Sequence, residues 1–164
     1  MAHTYTLDQI NANWQAVHKA TLIFVLDQGQ VLLIRKKRGL GAGKINGPGG
    51  KSERDETAQA CAHRELTEEL CILVNDSDNR GRLRFQFIDG YSLDVTVFVA
   101  HQFTGTPTET DEAIPLWFRL DEIPFDQMWE DDKIWLPKVL QGEDVNGRFI
   151  FDGDRMLEHD IEFT

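Results

Sequence analysis

The chain of 164 residues has only two cysteines, Cys61 and Cys71, too few for a disulfide framework. It has no long hydrophobic run. The longest apolar stretches, residues 21–26 and 95–100, fall far short of the roughly 20 residues a membrane-spanning helix needs. The first fourteen residues lack a basic leader followed by an apolar stretch, so a cytoplasmic protein is expected. Asn75-Asp76-Ser77 fits the glycosylation pattern, which has no meaning without secretion. Positive charge is scarce: 17 Lys and Arg stand against 28 Asp and Glu, a net charge of −11. Such a surface repels polymeric nucleic acid and anionic membranes. An anionic small molecule binds it only where local basic groups or a bound cation compensate. The five histidines, His3, His18, His63, His101 and His159, show no metal-ligand spacing, and no Ser-His-Asp or Cys-His set is evident. There is no repeat or low-complexity tract. What remains is an ordinary globular composition, long enough for one domain with a real core.

Helical and strand patterns alternate along the chain. Thr6-Leu7-Asp8-Gln9 reads as a capping box, and Leu7, Ile10, Trp14 and Val17 follow at helical spacing. They predict an N-terminal helical extension over residues 1–18, ahead of a domain over 19–164. Residues 21–26 and 31–35 read as a hairpin, and 39–50, with six glycines in twelve positions, as a loop. A helix is expected over 56–70 and strands over 82–88, 93–103 and 117–120. Residues 131–140 read as helical despite Pro137, and 148–151 with 156–161 as a closing hairpin. This mixture predicts an α/β or α+β sandwich rather than a pure β barrel.

The helix over 56–70 is more acidic than packing explains. On a wheel of about 100° per residue, Glu68 and Glu69 lie within about 60° of Glu65. Ala58, Cys61 and Ala62 share that side, whereas Gln59, His63 and Thr67 point away. A solvated acidic face is the ordinary alternative. It fits less well, because like charges at i, i+4 repel and these face small apolar residues. Clustered carboxylates of this kind call for a hard divalent cation.

The spacing carries more. Gly50, five residues, Glu56, seven residues, Arg64-Glu65-Leu66, one residue, Glu68-Glu69, one residue, Cys71-Ile72 resembles the Nudix box. One fixed position departs: Cys71 stands where the box has Gly, at a helix exit where left-handed backbone favours glycine. The resemblance implies a Nudix-type α/β/α sandwich with a mixed sheet, and a hydrolase of nucleoside diphosphate derivatives using Mg²⁺, with Mn²⁺ able to substitute. It makes Glu65, Glu68 and Glu69 candidate metal ligands, with the Gly49 carbonyl as a further one and, by likeness to one branch of the family, Glu112 as an extra ligand or base. Arg64 would orient a glutamate and Glu56 would brace the loop.

Within the family, the chain is most similar to the branch that hydrolyses oxidised purine nucleoside triphosphates. The similarity rests on residues 36–47, 105–112, Trp117-Phe118, 123–125 and 128–132. It implies a substrate such as 8-oxo-dGTP or 2-oxo-dATP, bound by Lys36, Asn46, Phe85, Trp129, Asp131 and Asp132, and a monomeric enzyme. Taken singly, Asn46 reads as a turn residue, Asp131-Asp132 as a helix cap, Trp129 as core and Lys36 as a solvated charge. Only together with the box do they read as a site. Leu40, Ile45, Pro48, Glu130 and Leu93 depart from the branch and bear on base selectivity. Two other readings compete: a Nudix hydrolase of ADP-ribose or a dinucleoside polyphosphate, in which the Asn46/Asp131/Asp132 set would be idle, and a non-catalytic nucleotide sensor, which usually has a damaged box.

Overall fold

Residues 21–26 and 31–35 are apolar at nearly every position because the strands they form are covered on both faces. The computed structural model describes residues 5–164. In it β1 (His18–Asp27) and β2 (Gln30–Lys36) form an antiparallel hairpin. Alternate side chains go to opposite faces. Phe24, Val31 and Leu33 pack with Trp135, Leu136 and Val139, while Ile23, Val25, Leu32 and Ile34 pack with Ala62, Leu66 and Leu70. The first set meets α2 (Asp132–Leu140) and the second meets α1 (Ala58–Leu70). The molecule is therefore the expected α/β/α sandwich.

The remaining strands are β3 (Ile45–Asn46), β4 (Gly49–Lys51), β5 (Asp78–Phe87), β6 (Ser92–Ala100), β7 (Ala113–Arg119), β8 (Val145–Asp152) and β9 (Arg155–Phe163). Among the described residues the sheet runs β3-β2-β1-β6-β5-β8-β9, with β4 on β1 and β7 on β2. It is mixed: β1 lies parallel to β6 and β5 parallel to β8, and the other pairs are antiparallel. β1 and β2 pair only from Val25–Leu32 to Asp27–Gln30 and then part. β4 takes the outer half of β1, and β3 takes the far end of β2. The glycine-rich segment is thereby wedged where the two strands diverge. A Cβ on Gly49 would stand 1.9 Å from the Thr21 carbonyl oxygen, so only glycine lets β4 lie so close to β1.

Several boundaries differ from the sequence reading. Residues 39–50 are not wholly loop, since β3 and β4 lie within them; two- and three-residue strands carry no alternation to read. α1 starts at Ala58, because Thr57 is its N-cap and accepts from the Ala60 N–H, which leaves Glu56 ahead of the helix. β5 and β7 begin earlier than expected, and β6 ends at Ala100. His63 and Thr67 do not simply face solvent. His63 meets the Ser77 hydroxyl, and the Thr67 hydroxyl donates to the Ile72 carbonyl, tying α1 to the loop behind it.

The largest correction is at the N-terminus. Residues 1–4 of the expected helix lie outside the described residues. In the rest, the helix is a single 3-10 turn, Leu7–Gln9. The Thr6 N–H does donate to Gln9 Oε1, as a capping box requires. Asn11 and Asn13 then intervene: Asn11 Nδ2 donates to the Asp8 carbonyl, and the Asn13 N–H donates to Asn11 Oδ1. Such local side-chain bonds offer the backbone an alternative to the helix. The apolar residues are spaced for a helix but are spent otherwise: Ile10 is buried, Trp14 is half-buried and Val17 is exposed.

Candidate active site

A cleft of about 640 Å³ runs from the carboxylates of α1, past Gly47, Gly49 and Gly50, to Phe85, Trp129, Asp131 and Asp132. It also takes in Lys36, Asn46 and Glu112, so most of the residues expected to form a site line one continuous cavity. Glu56, Arg64 and Glu68 stand behind or beside it.

At the acidic end Glu69 is buried and accepts from the Gly49 N–H at 2.8 Å. Burial, against that bond and with the charges of Glu65 and Glu112 added, pushes its carboxyl up to about 8. Glu65 is raised in the same way, burial outweighing its bond to Arg64. Its carboxylate lies over Gly50, where a Cβ would come within 2.5 Å. Arg64 is the hub. Its Nε and Nη2 donate to the two oxygens of Glu56 at 2.6 and 2.9 Å, and its Nη1 donates to Glu65 at 3.0 Å and Glu68 at 3.1 Å. The Arg64 bond holds Glu56 down at about 2. Glu56 in turn accepts from the Glu53 N–H, so this pair pins residues 51–56 against α1. Glu68 is exposed at the edge, and Glu112 accepts from Arg38 at 3.2 Å. Lys36 Nζ donates to the Leu40 carbonyl, and burial lowers its pKa despite the carboxylates nearby.

Among the described residues no three carboxylates stand as a closed metal cage. Glu65 and Glu68 are held by Arg64, and Glu112 by Arg38. The donor chemistry nevertheless fits a hard divalent cation. The donors are all oxygens, and beside burial the charges of Glu65 and Glu112 raise the proton affinity of Glu69, and those of Glu68 and Glu112 that of Glu65, with Lys36 as a nearby offset to Glu69. A cation there would relieve the repulsion that burial sharpens.

At the other end, Asp131 and Asp132 are both buried, at 2% and 6% exposure. Neither side chain caps α2, which removes the helix-cap explanation. Asp131 Oδ2 accepts from the Trp135 indole N–H at 2.8 Å. Among the described residues neither acid has an ion-pair partner, and burial drives both carboxyls upward, with the charge of Asp131 adding to the effect on Asp132. Asn46 faces the same space from β3. Phe85 stacks on Phe149 with centroids 4.9 Å apart, and Trp129 stands edge-on to Phe87 and Phe151.

The sequence reading missed Phe87, Tyr91 and Leu22 in the lining, and also Lys44, whose Nζ lies 5.4 Å from the Trp129 ring centroid. It missed Trp135 as the partner of Asp131, although the i, i+4 spacing on a helix was there to find.

Comparison with known proteins agrees with this geometry. Residues 16–139 match the NUDIX domain. Curated relatives named oxidized purine nucleoside triphosphate hydrolase are 46% identical over 144 residues in Danio rerio and 44% identical over 143 in Mus musculus. The alignments cover 87% and 86% of this chain and 92% of each relative. Among solved structures, the MutT protein of Bacillus halodurans superposes with a TM-score of 0.78 at 27% identity, covering 89% of this chain and 98% of that one. With the box matched at every fixed position but Cys71, the fold matched and most of the chain aligned, this protein belongs to the Nudix family of hydrolases.

Proposed function

We propose that this enzyme hydrolyses purine nucleoside triphosphates carrying an oxidised base, of the 8-oxo-dGTP or 2-oxo-dATP type, to the monophosphate and pyrophosphate. It would act as a monomer in the cytoplasm, clearing damaged nucleotides from the precursor pool, with Mg²⁺ as its usual metal and Mn²⁺ as a substitute. The names of the vertebrate relatives support this reading. The observation that carries it is the buried Asp131–Asp132 couple, without an ion-pair partner among the described residues, in an aromatic cleft continuous with the box carboxylates. Two adjacent buried acids resist double ionisation, so one holds a proton. A protonated carboxyl donates to a purine carbonyl while its ionised neighbour accepts from ring and exocyclic N–H groups. Shifting that proton lets the same pair meet an adenine-type edge.

The remaining roles follow from position. Phe85 and Trp129 flank the base, and Asn46 adds an amide contact. Lys36 offers positive charge to the phosphates in an otherwise acidic cavity. Glu65, Glu68, Glu69 and Glu112, with the Gly49 carbonyl, would hold the cation, and Glu112 would alternatively serve as a base. Arg64 orients Glu65 and Glu68, and Glu56 fixes Arg64. A bound divalent cation neutralises phosphate charge and polarises the attacked phosphorus toward water.

The test is kcat/KM with Mg²⁺ for 8-oxo-dGTP, 2-oxo-dATP, dGTP and ADP-ribose side by side. The oxidised triphosphates should exceed ADP-ribose by at least about a hundredfold, the discrimination two buried hydrogen bonds supply. Equal or greater activity on ADP-ribose would overturn the reading.

A further inference from the structure

The segment ahead of β1 lies, up to Gln15, outside the family match, which starts at residue 16. Four contacts tie it to the sheet. Arg148 Nη1 donates to the carbonyls of Leu7 and Ile10 at 3.1 and 3.4 Å, and Ile10 is 1% exposed. The Trp14 indole N–H donates to Gln86 Oε1 at 3.0 Å, and the Val17 N–H donates to the Ser92 hydroxyl at 2.8 Å. Both Gln86 and Ser92 are buried. Their neighbours in the strands, Phe85, Phe87 and Leu93, line the cleft, so by strand alternation the segment grips the opposite face of the same strand ends.

Gln86 links the two faces. Its amide donates to the carbonyls of Phe87 at 2.9 Å and Tyr91 at 3.1 Å, closing the β5–β6 turn from beneath. Tyr91 lines the cleft, and its hydroxyl meets His18 Nδ1 just beyond the segment. Without Trp14, Gln86 Oε1 would be a buried acceptor with no other hydrogen bond among the described residues, and the amide holding the turn would be free to re-orient.

We propose that residues 7–17 form a strap that sets, from behind the sheet, the positions of Phe87 and Tyr91 at the base end of the cleft. Trp14 and Gln86 are its positioning residues, acting through the turn. The strap thereby raises affinity for the base without touching the reacting phosphates, and this consequence rests on the substrate reading above.

The test compares Trp14→Phe, which keeps an aromatic ring but loses the donor, and Ser92→Ala with the wild type in the full chain. Amide hydrogen exchange at Phe87 and Gly90 should accelerate at least fivefold, with exchange in β2 unchanged. KM for the oxidised purine triphosphate should rise about five- to tenfold, the size one hydrogen bond carries, with kcat and the Mg²⁺ requirement within twofold. If local exchange accelerates but the wild type ignores oxidised purines, the strap stands and the substrate reading falls. Unchanged exchange and KM overturn the strap. So does a general rise in exchange with kcat falling alongside, which would mark mere support of the fold.

Discussion

Replacing Asp132 by Asn separates recognition from stability, because the two should move in opposite directions. The side chain is buried and its proton affinity is raised by burial and by Asp131. In the unfolded chain the same carboxyl ionises near 3.9. The folded protein therefore holds the proton more tightly than the unfolded one. The stability this confers is complete below the unfolded pKa and is lost as pH rises through the folded one. Asparagine has no proton to lose. Asp132→Asn should then melt above wild type at pH 7.5, with the difference closing toward pH 4. The gain is about 3–5 °C for each tenfold displacement of the proton equilibrium, from about 1.36 kcal/mol per tenfold and roughly 2–4 °C per kcal/mol in a chain of this size. Activity should fall meanwhile. Asparagine cannot pass the shared proton to Asp131, and a hydrogen bond to the pair's single charge carries about 1.5–3 kcal/mol, so kcat/KM for 8-oxo-dGTP should drop roughly 10- to 150-fold, chiefly through KM. Asp131→Asn should lose activity by a similar factor, while its amide oxygen still accepts from Trp135. Melting curves from pH 4 to 8, steady-state kinetics and a Mg²⁺ titration make the assay. If Asp132→Asn melted below wild type with kinetics near normal, the carboxylate would be a structural acceptor and the base-reading argument would collapse.

Glu69→Gln should cut turnover on the order of a thousandfold or more at saturating Mg²⁺ and leave the fold intact, since it removes a carboxyl that a bound cation would draw into its ionised form. Retention of a tenth of the wild-type rate would remove it from the metal-ligand set. Cys71 ends α1 at φ 63°, ψ 29°, the left-handed geometry that glycine adopts without strain. Cys71→Gly should be neutral or stabilise by up to about 1 kcal/mol in chemical denaturation, with activity unchanged. A clear loss of either would show that the exposed thiol contributes something the backbone does not.

The acidic end of the site was legible because it is local. Arg64, Glu65, Glu68 and Glu69 sit on one helix, and their spacing alone puts them together. Even the odd residue of the box, Cys71, was readable, since a motif glycine at a helix exit announces its own backbone angle. The base end was harder. Asn46, Phe85 and Asp131 come from three distant segments, and only likeness to a known family joined them. Lys44 and Tyr91 carried no local signal at all. β3 and β4 were invisible because glycine-rich backbone pairs without patterned side chains. The N-terminal segment misled because an apolar repeat at helical spacing was fitted to a sheet face and a buried glutamine, after Asn11 and Asn13 had turned the chain aside.

The parallel register of β5 with β8 has a consequence for how the chain reaches its native state. Phe85 is aligned with Phe149 and Phe87 with Phe151, across more than sixty positions of sequence. β1 likewise waits for β6 as its parallel neighbour, from His18–Leu93 to Val25–Ala100. Contacts so distant form late, since a long loop must close before either strand gains anything from the pairing. During synthesis the acidic helix, complete by residue 70, emerges well before the aromatic wall of the cleft. A nascent chain stopped short of β8 therefore carries the box carboxylates beside an unpaired β5 edge with Phe85 and Phe87 uncovered, a species inclined to associate with its own kind. Hydrolytic competence should accordingly appear in one late step, when the last hairpin docks.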